Sequence, residues 1–141
     1  MSNHLYFDIL PFDPLDPSSM PNPRHLLQVD LKEFAQKLRE QFPDFVINEE
    51  TDNGENYITV SFSHGLQDHY ILARYLPEYC DFNVSAWPKS KSKKLIFWYR
   101  QYISSDYRLF LINPEDGFVT EIKSDVSLAD IENLYPAWVP E

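Results

Sequence analysis

The sequence predicts an α+β fold: a single domain built on a mainly antiparallel sheet of about six or seven strands, with two helices packed on one face. Three observations carry that reading. Short strand-like runs follow one another along most of the chain, separated by compact turn signals, so neighbouring strands join largely as hairpins. Two segments instead place apolar residues at helical spacing behind a capping residue. The chain has 141 residues without an internal repeat or a linker-like change in composition, so 1–141 reads as one domain.

His4 to Leu10 alternates, with Leu5, Phe7 and Ile9 on one side, and reads as the first strand. A proline-rich extended crossing follows over 11–27, with prolines at 11, 14, 17, 21 and 23. That density forbids a helix or a central strand. The spacing Pro11-Phe12-Asp13-Pro14 fits a proline-motif ligand, but without flanking arginine a plain connector is the better reading. Asp30 then caps a helix whose stripe is Leu31, Phe34, Ala35, Leu38 and Phe42, and Pro43 ends it. Phe45–Glu49 and Tyr57–Phe62 form a hairpin around Thr51-Asp52-Asn53-Gly54-Glu55. Residues 64–79 fit either strand or helix. Phe82, Val84 and Ala86 alternate as a strand.

Pro88 and the tract Lys89-Ser90-Lys91-Ser92-Lys93-Lys94 read as a solvated loop. Leu95–Ile103 and Tyr107–Ile112, split by Ser104-Ser105-Asp106, read as the next hairpin. Asn113-Pro114-Glu115-Asp116-Gly117 is a turn, and Phe118–Ile122 returns as a strand. Ser127 opens a short helix with Leu128, Ile131 and Leu134 inward, closed by Pro136.

Composition narrows the function. The formal charge of −10 disfavours nucleic acid and anionic membrane as partners and favours a basic protein. The single cysteine, Cys80, excludes an intrachain disulfide, and no apolar run approaches the ~18 residues that span a bilayer. A cytoplasmic setting is the simplest expectation. No phosphate loop, dinucleotide fingerprint, zinc-protease helix or nucleophile elbow occurs, so no catalytic residue and no cofactor are assigned. His64, Asp68 and His69 lack the spacing to meet on one helix face, and no metal site is assigned. Cys80 reads as a small buried hydrophobe.

Binding remains. Read as strands, Leu95–Ile103 and Tyr107–Ile112 are apolar on both faces. One face carries Phe97, Tyr99, Leu109 and Leu111 and suits the core. The other carries Trp98, Arg100, Tyr102, Arg108 and Phe110, residue types that anchor protein interfaces. Glu49, Glu50, Asp52 and Glu55 would steer a basic partner towards it. Self-association of this face, coverage by the chain's own crossing and Trp138, and a small-ligand or enzymatic pocket are the alternatives.

The run Trp98-Tyr99-Arg100, then Tyr102-Ile103, a polar break and Leu109-Phe110-Leu111, resembles strands of the immunity proteins that neutralise bacterial toxins. The likeness covers roughly 94–122. It implies a stoichiometric, non-enzymatic inhibitor that blocks a basic toxin surface by charge complementarity.

Overall fold

The structure is a computed structural model that describes residues 6–16, 18, 27–64 and 67–138, and of 64 and 67–69 the backbone alone. His4, Leu5 and the prolines at 17, 21 and 23 lie outside the described residues, as do the side chains of His64, Asp68 and His69.

Seven antiparallel strands form one sheet: β1 (Tyr6–Leu10), β2 (Val46–Asp52), β3 (Glu55–His64), β4 (Gln67–Leu76), β5 (Asp81–Ser85), β6 (Leu109–Asn113) and β7 (Phe118–Ile122). Their order is β2-β3-β4-β5-β1-β6-β7. The α+β expectation therefore holds. Consecutive strands β2 to β5 form a meander, β6 and β7 a hairpin, and β1 lies between the two groups.

The helices α1 (Leu31–Gln41), α2 (Lys89–Tyr102) and α3 (Leu128–Glu132) pack beside the sheet. Helix α1 forms where the apolar stripe predicts. The Asp30 carboxylate accepts from the backbone N–H of Lys32 and of Glu33, at 3.0 and 3.2 Å, and Phe34, Ala35 and Leu38 are buried. Helix α3 carries a reciprocal capping box between Ser127 and Asp130. The β2–β3 turn is Asn53-Gly54 with φ of 52° and 81°, the two positive values that a two-residue hairpin loop requires. Of the segment that fits either strand or helix, His64 ends β3, Gln67–Leu76 forms β4, and Pro77–Tyr79 is a 3₁₀ turn.

Strand alternation gives the sheet one helix-covered face and one open face. The covered face carries Ile58, Val60, Ala73, Tyr75, Phe82, Val84, Phe7, Ile9, Leu111 and Leu109, all buried. Phe34 is its hub: its ring lies 5.0 Å from Tyr75, 5.7 Å from Phe82, 5.5 Å from Trp98 and 5.4 Å from Tyr102. The C-terminal segment seals the other end of the same face. Tyr135 and Trp138 each meet Phe7 edge-on at 5.2 Å, and the indole N–H of Trp138 donates to the Ala86 carbonyl at 2.6 Å. Trp138 thus does not cover the open face.

One element departs from expectation. Leu95–Ile103 is not a strand but the second half of α2, and the lysine tract is its first turns rather than a loop. Topology supplies the reason. Strands β5 and β6 both run antiparallel to β1, so they run parallel to each other, and a parallel pair needs a crossover longer than a tight turn. The buried residues Ser92, Leu95, Ile96, Tyr99 and Arg100 then share a helical stripe. The remaining aromatics Phe97, Trp98 and Tyr102 are half-buried and pack against the core, which makes the segment look apolar all round. The lysines are engaged: Lys91 lies over the Phe45 and Phe62 rings, Lys89 over Trp138, and Lys93 pairs with Glu132.

Candidate functional site

The five residues expected to anchor a partner fall in three separate places. Trp98 and Tyr102, one turn apart on α2, stack on each other at 5.0 Å and pack edge-on against Phe34 of α1. Burial raises the Tyr102 phenol, and the carboxylates of Glu33 and Asp30 add to the shift. Beside them Gln41, Phe42, Lys94, Phe97 and Gln101 line a cavity of about 300 Å³. These two aromatics chiefly join the helices to each other.

Arg100 points inward. Its guanidinium donates to four backbone carbonyls, Tyr107 (3.1 Å), Ile122 (3.3 Å), Ile103 (3.2 Å) and Ser104 (2.9 Å), while its Nε is buried without a partner. It ties the end of α2 to the loop before β6 and to β7, and being 2% exposed it is a structural cation rather than an anchor. Desolvation lowers its affinity for the proton.

Arg108 and Phe110 lie on the open face. Arg108 forms a two-pronged pair with Glu121, at 3.2 and 3.0 Å, and its guanidinium sits 5.0 Å from the Phe110 ring centre. Phe110 is 4% exposed, so no large aromatic ring is on offer there. Reading α2 as a strand placed Trp98, Arg100 and Tyr102 on a sheet face that they never reach. Arg108 and Phe110 do lie on the expected face, but the first is ion-paired and the second is buried.

The four acidic residues behave differently. Glu49, Glu50, Asp52 and Glu55 are exposed on the β2–β3 hairpin, with Arg39 near Glu49 at 3.7 Å. Asp52 and Glu55 line an open groove of about 690 Å³ that also includes Tyr57, Arg74, Leu76, Pro77, Glu78 and Tyr79. The 3₁₀ turn brings Glu78 and Tyr79 to it. Cys80 closes that turn with φ of 52°, and its buried thiol donates to the Leu27 carbonyl at 3.0 Å. Burial pushes that thiol's pKa up, so it is no ready nucleophile. Tyr79 is 63% exposed, among the few large hydrophobic side chains facing water.

The groove thus combines three carboxylates, one arginine, two tyrosines and the apolar Leu76 and Pro77. Sequence reading found Asp52 and Glu55 but missed Glu78 and Tyr79. The only signal for them was Pro77, a proline at the start of a one-turn helix after a strand.

Among the described residues, no three of His, Cys, Asp and Glu come together as metal ligands. No helix among them is long and apolar enough to cross a membrane. No protein-family model, curated protein or solved structure matches the chain.

Proposed function

We propose that this protein is a non-enzymatic binding domain that engages a basic partner protein through the groove at the β2–β3 hairpin, in the manner of an immunity-type inhibitor. One observation carries the reading: Asp52, Glu55 and Glu78 meet the exposed Tyr79 in a single groove of an acidic chain. Carboxylates around an aromatic ring suit lysine and arginine side chains, which pair with the acids and lie over the ring. The net charge of −10 would speed encounter with a basic surface and repel acidic competitors.

Charge also argues against self-association at this place, because two copies would bring like-charged rims together. Trp98 and Tyr102 are half-buried and packed against the core, whereas Tyr79 is exposed.

Quantitative co-purification from the native host separates the surfaces. The expected result is a basic partner retained by wild type and by Trp98→Ala/Tyr102→Ala, and lost by Asp52→Asn/Glu78→Gln/Tyr79→Ala. Equal recovery of that partner by the groove variant would overturn the assignment. In light scattering, a monomer at tens of micromolar is expected.

A further inference from the structure

Strand β2 is an outer strand of the sheet, and all its residues but Ile47 are exposed. The opposite outer strand, β7, carries no exposed residue. The β2–β3 register runs from Val46↔Ser61 to Asp52↔Glu55 without a bulge, and β2 holds no proline. Neither of these common devices spoils its outer edge for pairing.

Antiparallel pairing fixes which backbone groups that edge offers. A two-residue loop closes on a hydrogen-bonded pair, here Asp52 and Glu55, and the pairs alternate from there. Asp52, Glu50 and Asn48 therefore direct their N–H and C=O to β3, while Thr51, Glu49 and Ile47 direct theirs outward. Arg39 agrees with this alternation, because its guanidinium donates to the outward Ile47 carbonyl at 3.0 Å. Among the described residues, nothing pairs with the outward backbone groups of Glu49 and Thr51. Side chains alternate as well: Asn48, Glu50 and Asp52 lie on the open face, the side of the groove. The acids along the edge then select the strand that can lie there. A second copy of β2 would set carboxylates against carboxylates, whereas lysine or arginine opposite them is favourable.

We propose that the outer edge of β2 accepts an extended basic segment of the partner protein as a further strand, held by the outward backbone groups of Glu49 and Thr51, with lysine or arginine side chains beside Glu50 and Asp52. The inference rests on the groove reading and states how the same partner is held: the added strand runs along β2, and its basic side chains meet the groove at Asp52.

Amide hydrogen exchange of the intact protein, followed by NMR, tests it. The probe is a capped peptide of alternating lysine and valine, long enough to span β2. In the free protein the Glu49 and Thr51 amides should exchange fast, and those of Asn48 and Glu50 slowly. Excess peptide should slow Glu49 and Thr51 by about tenfold or more and leave Asn48 and Glu50 unchanged. The same peptide with every backbone nitrogen methylated keeps its charge but cannot pair as a strand, and it should protect neither amide. Thr51→Pro removes one outward N–H without touching the bonds to β3, and it should weaken peptide binding about tenfold. If that variant does not fold, the methylated peptide makes the same test on wild type. Three results would overturn the edge: both amides protected before peptide is added, which would mean that the chain itself or a second copy already occupies it; no change at either amide; or equal binding of the plain and methylated peptides. Co-purification tells the two readings apart. A partner lost by the groove variant but retained by Thr51→Pro removes the edge alone, and one lost by Thr51→Pro but retained by the groove variant removes the groove alone.

Discussion

The two faces of the sheet are built from the same strands and held by different physics. On the covered face, Phe34, Tyr75, Phe82 and Tyr99 are 1% exposed or less and interlock in edge-to-face and tilted pairs. Their stabilisation comes from area removed from water and from ring geometry. On the open face, neighbouring strands meet through Asp8 and Asn83, and through Arg108 and Glu121. Polar pairs of that kind contribute little each, and some depend on pH. The covered face therefore carries most of the stability, and the exposed hairpin edge is free to carry recognition.

That division is easiest to break at Phe34. Replacing it with alanine removes the ring that four or more aromatics share, and a loss of about 3–5 kcal/mol in denaturant unfolding is expected. A loss under about 1 kcal/mol would mean that the helix layer is not the main source of stability.

A smaller effect is expected from the open face, and its sign is fixed. Burial raises the Asp81 carboxyl to about 8, so the folded chain holds its proton more tightly than the unfolded chain does. Its contribution is therefore full below about pH 4 and is lost as the pH rises to about 8. Carboxylates whose values are lowered, such as Glu121 beside Arg108, act in the opposite sense. The difference between wild type and Asp81→Asn isolates the term. Wild type should lose about 2–3 kcal/mol relative to the variant over that window, less than full linkage because Asp81 keeps some contact with solvent. A flat difference would remove the pH dependence from this face.

The smallest effect belongs to the groove. Asp52→Asn/Glu78→Gln/Tyr79→Ala should leave unfolding within about 0.5 kcal/mol of wild type, since none of these side chains supports the core. A larger loss would make the groove part of the scaffold.

What the sequence disclosed follows the same division between local and long-range causes. Helix α1 and the β2–β3 hairpin were legible because their signals are local: a carboxylate at Asp30, a spaced apolar stripe, and Asn53-Gly54. Helix α2 was not. Its first turn holds lysines that oppose the helix dipole, its cap is Pro88 without a side-chain bond, and its half-buried aromatics hide the period. The acidic half of the groove could be anticipated at Asp52 and Glu55. Its aromatic half depended on how 64–79 folds, which a short apolar run leaves open. The Asp8–Asn83 contact had no local signal, because each residue reads alone as the wet side of a strand. Only the insertion of β1 beside β5 brings them together.

That insertion also sets an order of assembly. The meander β2 to β5 and the hairpin β6–β7 are made of neighbours in the chain and close short loops. Strand β1 precedes them all, yet both of its partners come from the second half of the sequence. During synthesis it has to wait until β5 and then β6 have emerged. Its docking joins two sub-sheets that otherwise share no strand pairing. The sheet is therefore completed late, and the waiting segment is exposed to mispairing along the way.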